Sequence, residues 1–298
     1  MKIFITGGTG FIGSNLSASL VKMGHSVVAA GGHNTVRTSS NPNLKYISAD
    51  TTKKGLWQEE LKDIDVAINL AGRSIFSRWD EKYKKSIYES RILTTRNLVE
   101  ALPSGRSITL CSTSAAGYYG DRVEDVLTEN EPSGSDFLAK VCRDWEEEAF
   151  KANDKGVRVA AMRFGVVLGK GGGALEKMMP PIRFFVGGPL GNGRQWFPWI
   201  HIEDLVSAIM FIIENKHVGG PLNFTAPEPV RNIGLVKTIA GILHRPAFMP
   251  APSFMIRLIL GEFGSSLLAS QRVIPDRLSK YGFKFKYPDI KSALSNIL

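Results

Sequence analysis

The sequence predicts an α/β fold, a doubly wound parallel sheet with a smaller C-terminal lobe, and three observations carry that reading. Apolar, β-branched runs alternate with segments of helical period through the first two-thirds of the 298 residues. A glycine-rich turn joins the first run to the first helical segment. The alternation stops after Arg163, where glycine and proline become frequent. Strands that alternate with helices form a parallel sheet covered on both faces, and right-handed crossovers wind it in both directions.

The elements follow in order. Residues 2–6 are a strand, and Phe11, Ile12, Leu16, Leu20 and Val21 repeat at helical spacing behind the turn. Ser26–Ala30 and Lys45–Ile47 read as strands, as does Asp65–Leu70, which runs into Ala71-Gly72. A long helix is expected over 80–102, from Tyr83 and Ile87 to Leu98 and Leu102. Ser107–Ser112 is a strand, 135–154 a helix with Trp145 on its apolar face, and Val157–Arg163 another strand. Residues 169–200 are rich in glycine and proline. A helix near 202–215 and a short strand at Leu222–Phe224 return to the sheet pattern. From about Pro246 the chain has proline-flanked short helices and ends in the amphipathic Asp289–Leu298. The expected division is a nucleotide-binding domain over 1–168, with 202–225 returning to it. Residues 169–201 and 226–298 form the smaller, substrate-side lobe, including a C-terminal module at about 248–296.

The turn is the most specific chemical signal. Gly7, Gly10 and Gly13 sit between a strand and a helix, with Thr9, Phe11 and Ile12 among them. Such a turn aims free backbone N–H groups and the positive end of a helix dipole at an anion. Gly7 permits the turn, Gly10 lets a pyrophosphate approach the backbone, and Gly13 lets helix and strand pack closely. A Rossmann-type domain holding the diphosphate of NAD or NADP is the reading that follows. The second strand ends Ala30-Gly31-Gly32-His33-Asn34, without the carboxylate that usually binds the ribose 2′-hydroxyl of NAD. Its absence removes repulsion against a 2′-phosphate, and His33 with Arg37 is placed to pair with one. NADP(H) is therefore expected over NAD(H). Asp50, after the third strand, either accepts from the adenine amino group or caps the turn Thr51-Thr52.

Composition narrows the classes. Net charge is +9, from 37 basic and 28 acidic residues, but the basic residues are dispersed. A nucleic-acid surface needs a basic stripe interleaved with aromatics, so no nucleic-acid partner is expected. No stretch approaches the ~20 apolar residues of a membrane helix, and no membrane partner is expected. Cys111 and Cys142 lack metal-ligand spacing, so no metal is expected. Two cysteines and a first strand that begins at residue 2 suit a cytoplasmic protein.

These residues resemble a known family. The turn, Asn69-Leu70-Ala71-Gly72, Ser112-Thr113-Ser114-Ala115, Tyr118-Tyr119-Gly120 and Arg163 with Val166 look like the extended short-chain dehydrogenase/reductases, which include nucleotide-sugar epimerases and dehydratases. The match is closer to the atypical branch of epimerase-family proteins with unassigned substrates. Val167–Gly173, Phe197-Pro198-Trp199-Ile200-His201 and the C-terminal module with Gln271–Pro275 are similar to that branch. The resemblance implies cofactor contacts from Leu70, Ala71, Gly72, Arg91, Ser112, Arg163 and Val166. It also implies dimers, with helices 80–102 and 135–154 as the pairing surface.

Catalysis in the wider family uses a serine, a tyrosine and a lysine four residues after the tyrosine, with an asparagine from the long helix. Aligned through Trp145 and Glu146, this sequence has Leu138 for the tyrosine, Cys142 for the lysine and Arg91 for the asparagine. Ser114, or its neighbour Ser112, survives. Leu138 has no proton to give, and a cysteine cannot supply the missing cation. The same departure occurs in the atypical branch. Candidate catalytic residues are therefore Ser114, Arg91 and Cys142. Arg91 either stabilises an oxyanion or anionic substrate, or pairs with Glu89 or Asp144. Cys142 is a nucleophile or a buried small hydrophobe. Tyr118 and Tyr119 are alternative phenols, or rings packed under the nicotinamide, and His201 reads as a structural hydrogen-bonder. Gly187–Trp199 is either a substrate wall or a structural loop. In the first case Arg183 and Arg194 receive a phosphate or carboxylate and Trp196 and Trp199 stack on the ligand.

The expectation is an NAD(P)-dependent oxidoreductase or epimerase acting on a small carbonyl or nucleotide-sugar-like substrate without the usual Tyr–Lys pair. The alternative is a non-catalytic NADP(H)-binding sensor or scaffold.

Overall fold

The computed structural model describes residues 1–32 and 37–298; the expected contact at His33 lies outside the described residues. The first half of the chain alternates β1 (Lys2–Thr6), α1 (Phe11–Lys22), β2 (Ser26–Gly31), β3 (Leu44–Ser48), β4 (Val66–Asn69), α2 (Glu81–Ala101) and β5 (Thr109–Ala115). Next come β6 (Val126–Leu127), α3 (Phe137–Phe150), β7 (Arg158–Phe164), β8 (Val166–Leu168) and α4 (Gly173–Arg183). Then follow β9 (Trp196–Phe197), β10 (Trp199–His201), α5 (Ile202–Glu214), β11 (Gly220–Phe224), β12 (Val230–Arg231) and α6 (Asn232–Leu243). The chain closes with α7 (Ser253–Leu260), α8 (Glu262–Leu267), β13 (Arg272–Val273), α9 (Asp276–Lys280) and α10 (Ile290–Ile297).

Seven strands form one parallel sheet in the order β11-β7-β5-β4-β1-β2-β3. The order reverses beside β1, so the chain winds first one way and then the other, and the reversal opens a crevice at the carboxyl ends of the strands. Both faces of the sheet are covered. Ile3 and Ile5 of β1 pack toward α1 and α5, while Phe4 faces Trp57, Leu98 and Val99 on the other side. This period-two alternation places an apolar side chain on each layer, as a strand buried on both faces requires.

β11 returns to the sheet edge beside β7 after α5 has crossed the face that also carries α1. The C-terminal segments have a separate core of Leu175, Met179, Trp199, Leu235, Ile239 and Leu294. α9 differs: Leu278 and the following Phe283 join the main core with α5.

Two helices lie where no helix is expected from the sequence. α4 forms although Pro180 and Pro181 sit in its last turns. A proline removes one helical donor and is disfavoured in a helix interior. Burial of Leu175, Met179 and Ile182 on one side holds α4 against the C-terminal core nonetheless. α6 carries Leu235, Val236 and Ile239 into the same core.

Candidate active site at the carboxyl rim of the sheet

The parallel register brings the ends of β1, β4, β5 and β7 to one rim. Thr6 lies beside Asn69, Asn69 beside Ser112, and Ser114 beside Arg163. Each strand therefore delivers its last residues to the crevice where ligands bind in such sheets.

The turn after β1 has the geometry of an anion cradle. Gly7 adopts φ +66°, and a Cβ there would stand 2.8 Å from the carbonyl carbon and oxygen of Leu70. A Cβ on Gly13 would meet the Gly7 oxygen at 2.3 Å. Gly10 caps α1 without a side chain to bond the helix N–H groups, and the first turn contains no acid. The amides of Phe11, Ile12 and Gly13 start the helix and lack an intrahelical acceptor, as every helix N-terminus does. The ring of Phe11 fits under the glycine segment, where a Cβ on Gly172 would come within 2.4 Å of it. Thr9, Gly10, Phe11, Ser14, Arg37 and Gly171 line one pocket of about 250 Å³. Arg37 reaches over it and donates from Nη1 to Ser14 Oγ at 3.1 Å. Asp50 accepts from the backbone N–H of Thr52 at 3.1 Å and from its hydroxyl, so it caps the turn.

Behind the turn, a polar web fixes the rim. The Thr6 hydroxyl donates to Asn69 Oδ1 at 2.6 Å, and Asn69 Nδ2 donates to Thr95 Oγ1 at 2.8 Å and Ser112 Oγ at 3.3 Å. Trp145 Nε1 donates to Thr95 Oγ1 at 2.8 Å, tying α3 to α2. Ser112 thus faces inward, toward Asn69, while Leu70 and Ala71 lead directly from the web to the crevice. The N–H of Ala71 bonds Thr6 Oγ1.

The residues that replace the usual catalytic set converge. A Cβ on Gly117, in the turn after β5, would lie 3.4 Å from Leu138 Cβ and 4.0 Å from Cys142 Sγ. Leu138 and Cys142 thus present one face of α3 to that turn. The Cys142 thiol meets the Ser114 hydroxyl and the backbone at Ala115, and burial pushes its pKa up to about 12. It is a neutral thiol at ordinary pH, which removes the thiolate a nucleophile requires.

Arg91 approaches from α2. Its Nη1 donates to the carbonyls of Ile87, at 3.0 Å, and Arg73, at 3.1 Å, and its guanidinium lies over the Trp145 ring. A Cβ on Gly72 would come within 3.1 Å of Arg91 Cζ. Burial lowers its pKa, against the nearby Cys142 and Tyr83; a guanidinium starting so high stays charged. Glu89 instead faces Lys85, and Asp144 binds Lys140 and Tyr88. Among the described residues Arg91 has no carboxylate partner, and its Nε and Nη2 have no protein acceptor.

Arg163 lies inside the wall. Its Nε and Nη2 grip Glu146 Oε1 and Oε2, both at 2.8 Å, while Ser114 donates to Glu146 Oε1 at 2.7 Å. The guanidinium sits 3.5 Å from the centre of the Tyr118 ring. Its Nη1 donates to the Tyr119 hydroxyl, which donates to Asn223 Oδ1 at 2.7 Å. Asn223 and Arg277 give backbone N–H bonds to Glu129, whose carboxyl pKa burial raises. Sequence reasoning missed Glu129, Glu146 and Asn223 as a network, because buried polar residues look like surface residues in a pattern of apolar spacing. A signal does exist for Glu146: it follows Trp145 on the apolar side of a helix.

Two expectations about this region are corrected. Tyr119 is not an available phenol: it is fully buried, and burial pushes its pKa to about 12. Trp199 does not stack on a ligand, because at 1% exposure it belongs to the C-terminal core. Trp196 is partly open, held by Glu124 at 3.0 Å and flanked by Arg231 and Arg272. Arg183, in the last turn of α4, and Arg194, before β9, are both exposed and on separate segments. Val166 pairs with Trp199 where β8 meets β10. His201 caps α5 by accepting the Glu203 N–H at 3.1 Å and packs its ring, tilted, against Tyr287.

Comparison with known proteins agrees with this geometry. Residues 3–225 match the NAD dependent epimerase/dehydratase family, and residues 251–297 match a domain of unknown function, DUF1731. The chain is 40% identical to an epimerase family protein SDR39U1 homolog, chloroplastic, from Arabidopsis thaliana, covering 100% of this chain and 87% of the relative. It is 40% identical to the epimerase family protein YfhF of Bacillus subtilis, covering 100% and 98%. The crystal structure of human epimerase family protein SDR39U1 (isoform 2) with NADPH superposes with a TM-score of 0.87 at 32% identity, over 100% of this chain and 99% of that one. An NAD(P)-binding fold, a C-terminal module of the same kind and similarity along the whole chain converge on one assignment. The chain belongs to the NAD dependent epimerase/dehydratase family.

Proposed function

We propose that the protein is an NADP(H)-dependent oxidoreductase or epimerase of a small carbonyl or nucleotide-sugar-like substrate, working without a tyrosine–lysine pair. The observation that carries the reading is Arg91: a charged guanidinium close to Cys142, whose thiol meets Ser114, with two donor groups uncommitted among the described residues. A preorganised cation in a water-poor site stabilises charge that develops on a reacting oxygen. Arg37 above the helix N-terminus supports NADP(H) over NAD(H), since a guanidinium pairs well with a phosphate. So does the NADPH in the human relative.

A bound nicotinamide would supply hydride exchange with a carbonyl or hydroxyl carbon. Gly7, Gly10 and the α1 N-terminus would hold its diphosphate, and Leu70, Ala71 and Gly72 would form the adjoining wall. Arg91 Nε and Nη2 hold the substrate oxygen and stabilise its negative charge. Ser114, whose hydroxyl donates to Glu146, keeps its oxygen as an acceptor that orients the substrate. Water supplies the proton, because Leu138 has none to give and burial makes the Cys142 thiol a poor acid. Arg163 and Glu146 are positioning residues: they hold Ser114 and Tyr118 in place. In the same reading the setting is cytoplasmic, and α2 and α3 pair two subunits.

The test is NADPH consumption with a panel of aldehydes and ketones, and epimer formation from a panel of nucleotide sugars read by NMR, for wild type and Arg91→Leu. Turnover that falls about a hundredfold or more in the variant, with NADPH affinity within a few-fold, is expected from the loss of one oxyanion donor. Turnover unchanged in Arg91→Leu contradicts the assignment of Arg91. Leu138 and Cys142 favour a second reading, a redox-sensing NADP(H) binder without turnover. Tight cofactor binding with neither NADPH consumption nor epimer formation across the panels supports that reading instead.

A further inference from the structure

α7 is built inside out. A helix on a globular surface turns its apolar stripe to the core. In α7 only Ile256 is buried, while Phe254, Met255, Leu258 and Ile259 form an outward apolar face. The face continues beyond the helix. Backbone bonds from Met249 to Gly187, Ala251 to Pro189 and Gly191 to Ala251 zip the segment before α7 to the segment after α4. That pairing brings the segment that follows Phe184 against the one that follows Phe248, directly before α7. Phe184, Phe248, Phe254 and Leu258 each keep 70–75% of their surface exposed. Isolated apolar side chains on a surface are ordinary, but a contiguous set marks a contact surface.

Charge selects the contact. Residues 182–195 and 244–261 contain Arg183, Arg194, Arg245 and Arg257 and no aspartate or glutamate. Arg245 lies over the Phe185 ring, so cation and apolar face are interleaved. Protruding phenylalanine and leucine among arginines is the chemistry of an interfacial segment, which buries apolar tips in the acyl boundary and leaves cations among anionic headgroups. A second copy of the chain docked face to face would bring arginines against arginines. We propose that α7 and the paired segments 184–191 and 248–251 form a docking face for an anionic lipid bilayer, which the protein meets peripherally. This is compatible with the absence, among the described residues, of any helix long and apolar enough to cross a membrane. The proposal departs from the sequence expectation of no membrane partner, and it does not depend on the assigned reaction.

The full chain is mixed with vesicles of phosphatidylcholine alone or with phosphatidylglycerol added, and sedimented. Wild type is expected to co-sediment with the anionic vesicles, with salt weakening the binding. Each arginine near such a surface contributes about fivefold in partitioning. Phe254→Glu with Leu258→Glu is expected to reduce binding more than about tenfold. Both positions are exposed, so the melting temperature and NADPH affinity should hold. Leu56→Glu, on an exposed site far along the chain, should bind vesicles like wild type. No sedimentation of wild type with anionic vesicles overturns the proposal, as does equal binding by wild type and the double variant. Equal binding to neutral vesicles overturns the charge argument. A lipid-independent dimer that the double variant dissociates, without vesicle binding by wild type, reassigns the face to a second copy.

Discussion

Two neighbouring stretches of the same sheet rim differ in how they treat family chemistry. At the β1–α1 turn the glycines occupy spaces that a Cβ cannot enter, and Arg37 closes the pocket above them. At the face of α3, Leu138 and Cys142 lie against the Gly117 turn. The first stretch is constrained by backbone geometry, where one added carbon collides with a carbonyl. The second is constrained only by side-chain identity, which can change without disturbing the fold. In the proposed function, cofactor binding and proton transfer are separable in this architecture, and Arg91 would supply from α2 the positive charge that α3 lacks.

The sharpest way to break the comparison is at the turn. Gly13→Val drives a side chain into the Gly7 carbonyl at a position where even a Cβ would stand 2.3 Å away. Loss of NADPH binding and a large fall in melting temperature are expected, and calorimetry with thermal denaturation checks both. Binding intact in this variant would mean that the turn does not hold the diphosphate.

Next in size is the buried pair beneath the site. Glu146→Ala leaves Arg163 charged and unpartnered at 3% exposure, and removing one member of such a pair costs about 3–5 kcal/mol. Denaturant titration should show that loss. Glu146→Leu combined with Arg163→Met should recover much of it, since an apolar pair avoids desolvating two charges. A double variant as unstable as the single one would show that the surrounding hydrogen bonds, rather than the unpaired charge, dominate.

Arg37→Ala tests the adenosine end. Losing a hydrogen bond to a charged group costs about 1.5–3 kcal/mol, so NADPH affinity should drop by roughly ten- to a hundredfold. NADH affinity should hold. Equal losses for the two cofactors would place Arg37 on the diphosphate rather than on the 2′-phosphate.

The smallest effect concerns the thiols and Tyr119. Burial raises Cys111, Cys142 and Tyr119 to about 12 in the folded chain, from ordinary values of 9.0 for the thiols and 10.0 for the phenol. Their protonated forms favour the folded state, a contribution complete below pH 9 and lost as pH rises toward 12. Stability should therefore decline progressively over that alkaline window. At neutral pH the native protein should resist iodoacetamide at both cysteines, read by mass spectrometry. Rapid alkylation of Cys142 would restore it as a reactive thiol.

What the sequence made legible follows from how each feature is encoded. Ile3-Phe4-Ile5 and the helical spacing of Ile87, Leu98 and Leu102 announce their elements because buried faces repeat with the period of the backbone. The glycine turn is legible because its steric demand admits few residue types. α4 was hidden behind Pro180 and Pro181, where tertiary burial overrides local propensity. The Glu146–Arg163–Tyr119–Asn223 network was hidden because its members come from α3, β7, the turn after β5 and β11, and only the fold brings them together. Trp199 looked like a ligand platform because an aromatic in a glycine-rich stretch has the same appearance whether it faces a cleft or a core. The outward face of α7 was unreadable for a related reason: periodicity tells that a helix has an apolar stripe, not which way the stripe turns.

The central claim, that the amino-terminal turn with Arg37 holds NADP(H), is tested most directly by calorimetric titration of the purified full chain with NADPH and with NADH. The account predicts saturable binding of both at one site per chain, with NADPH tighter by roughly tenfold or more. No heat of binding for either nucleotide at millimolar concentration would contradict it.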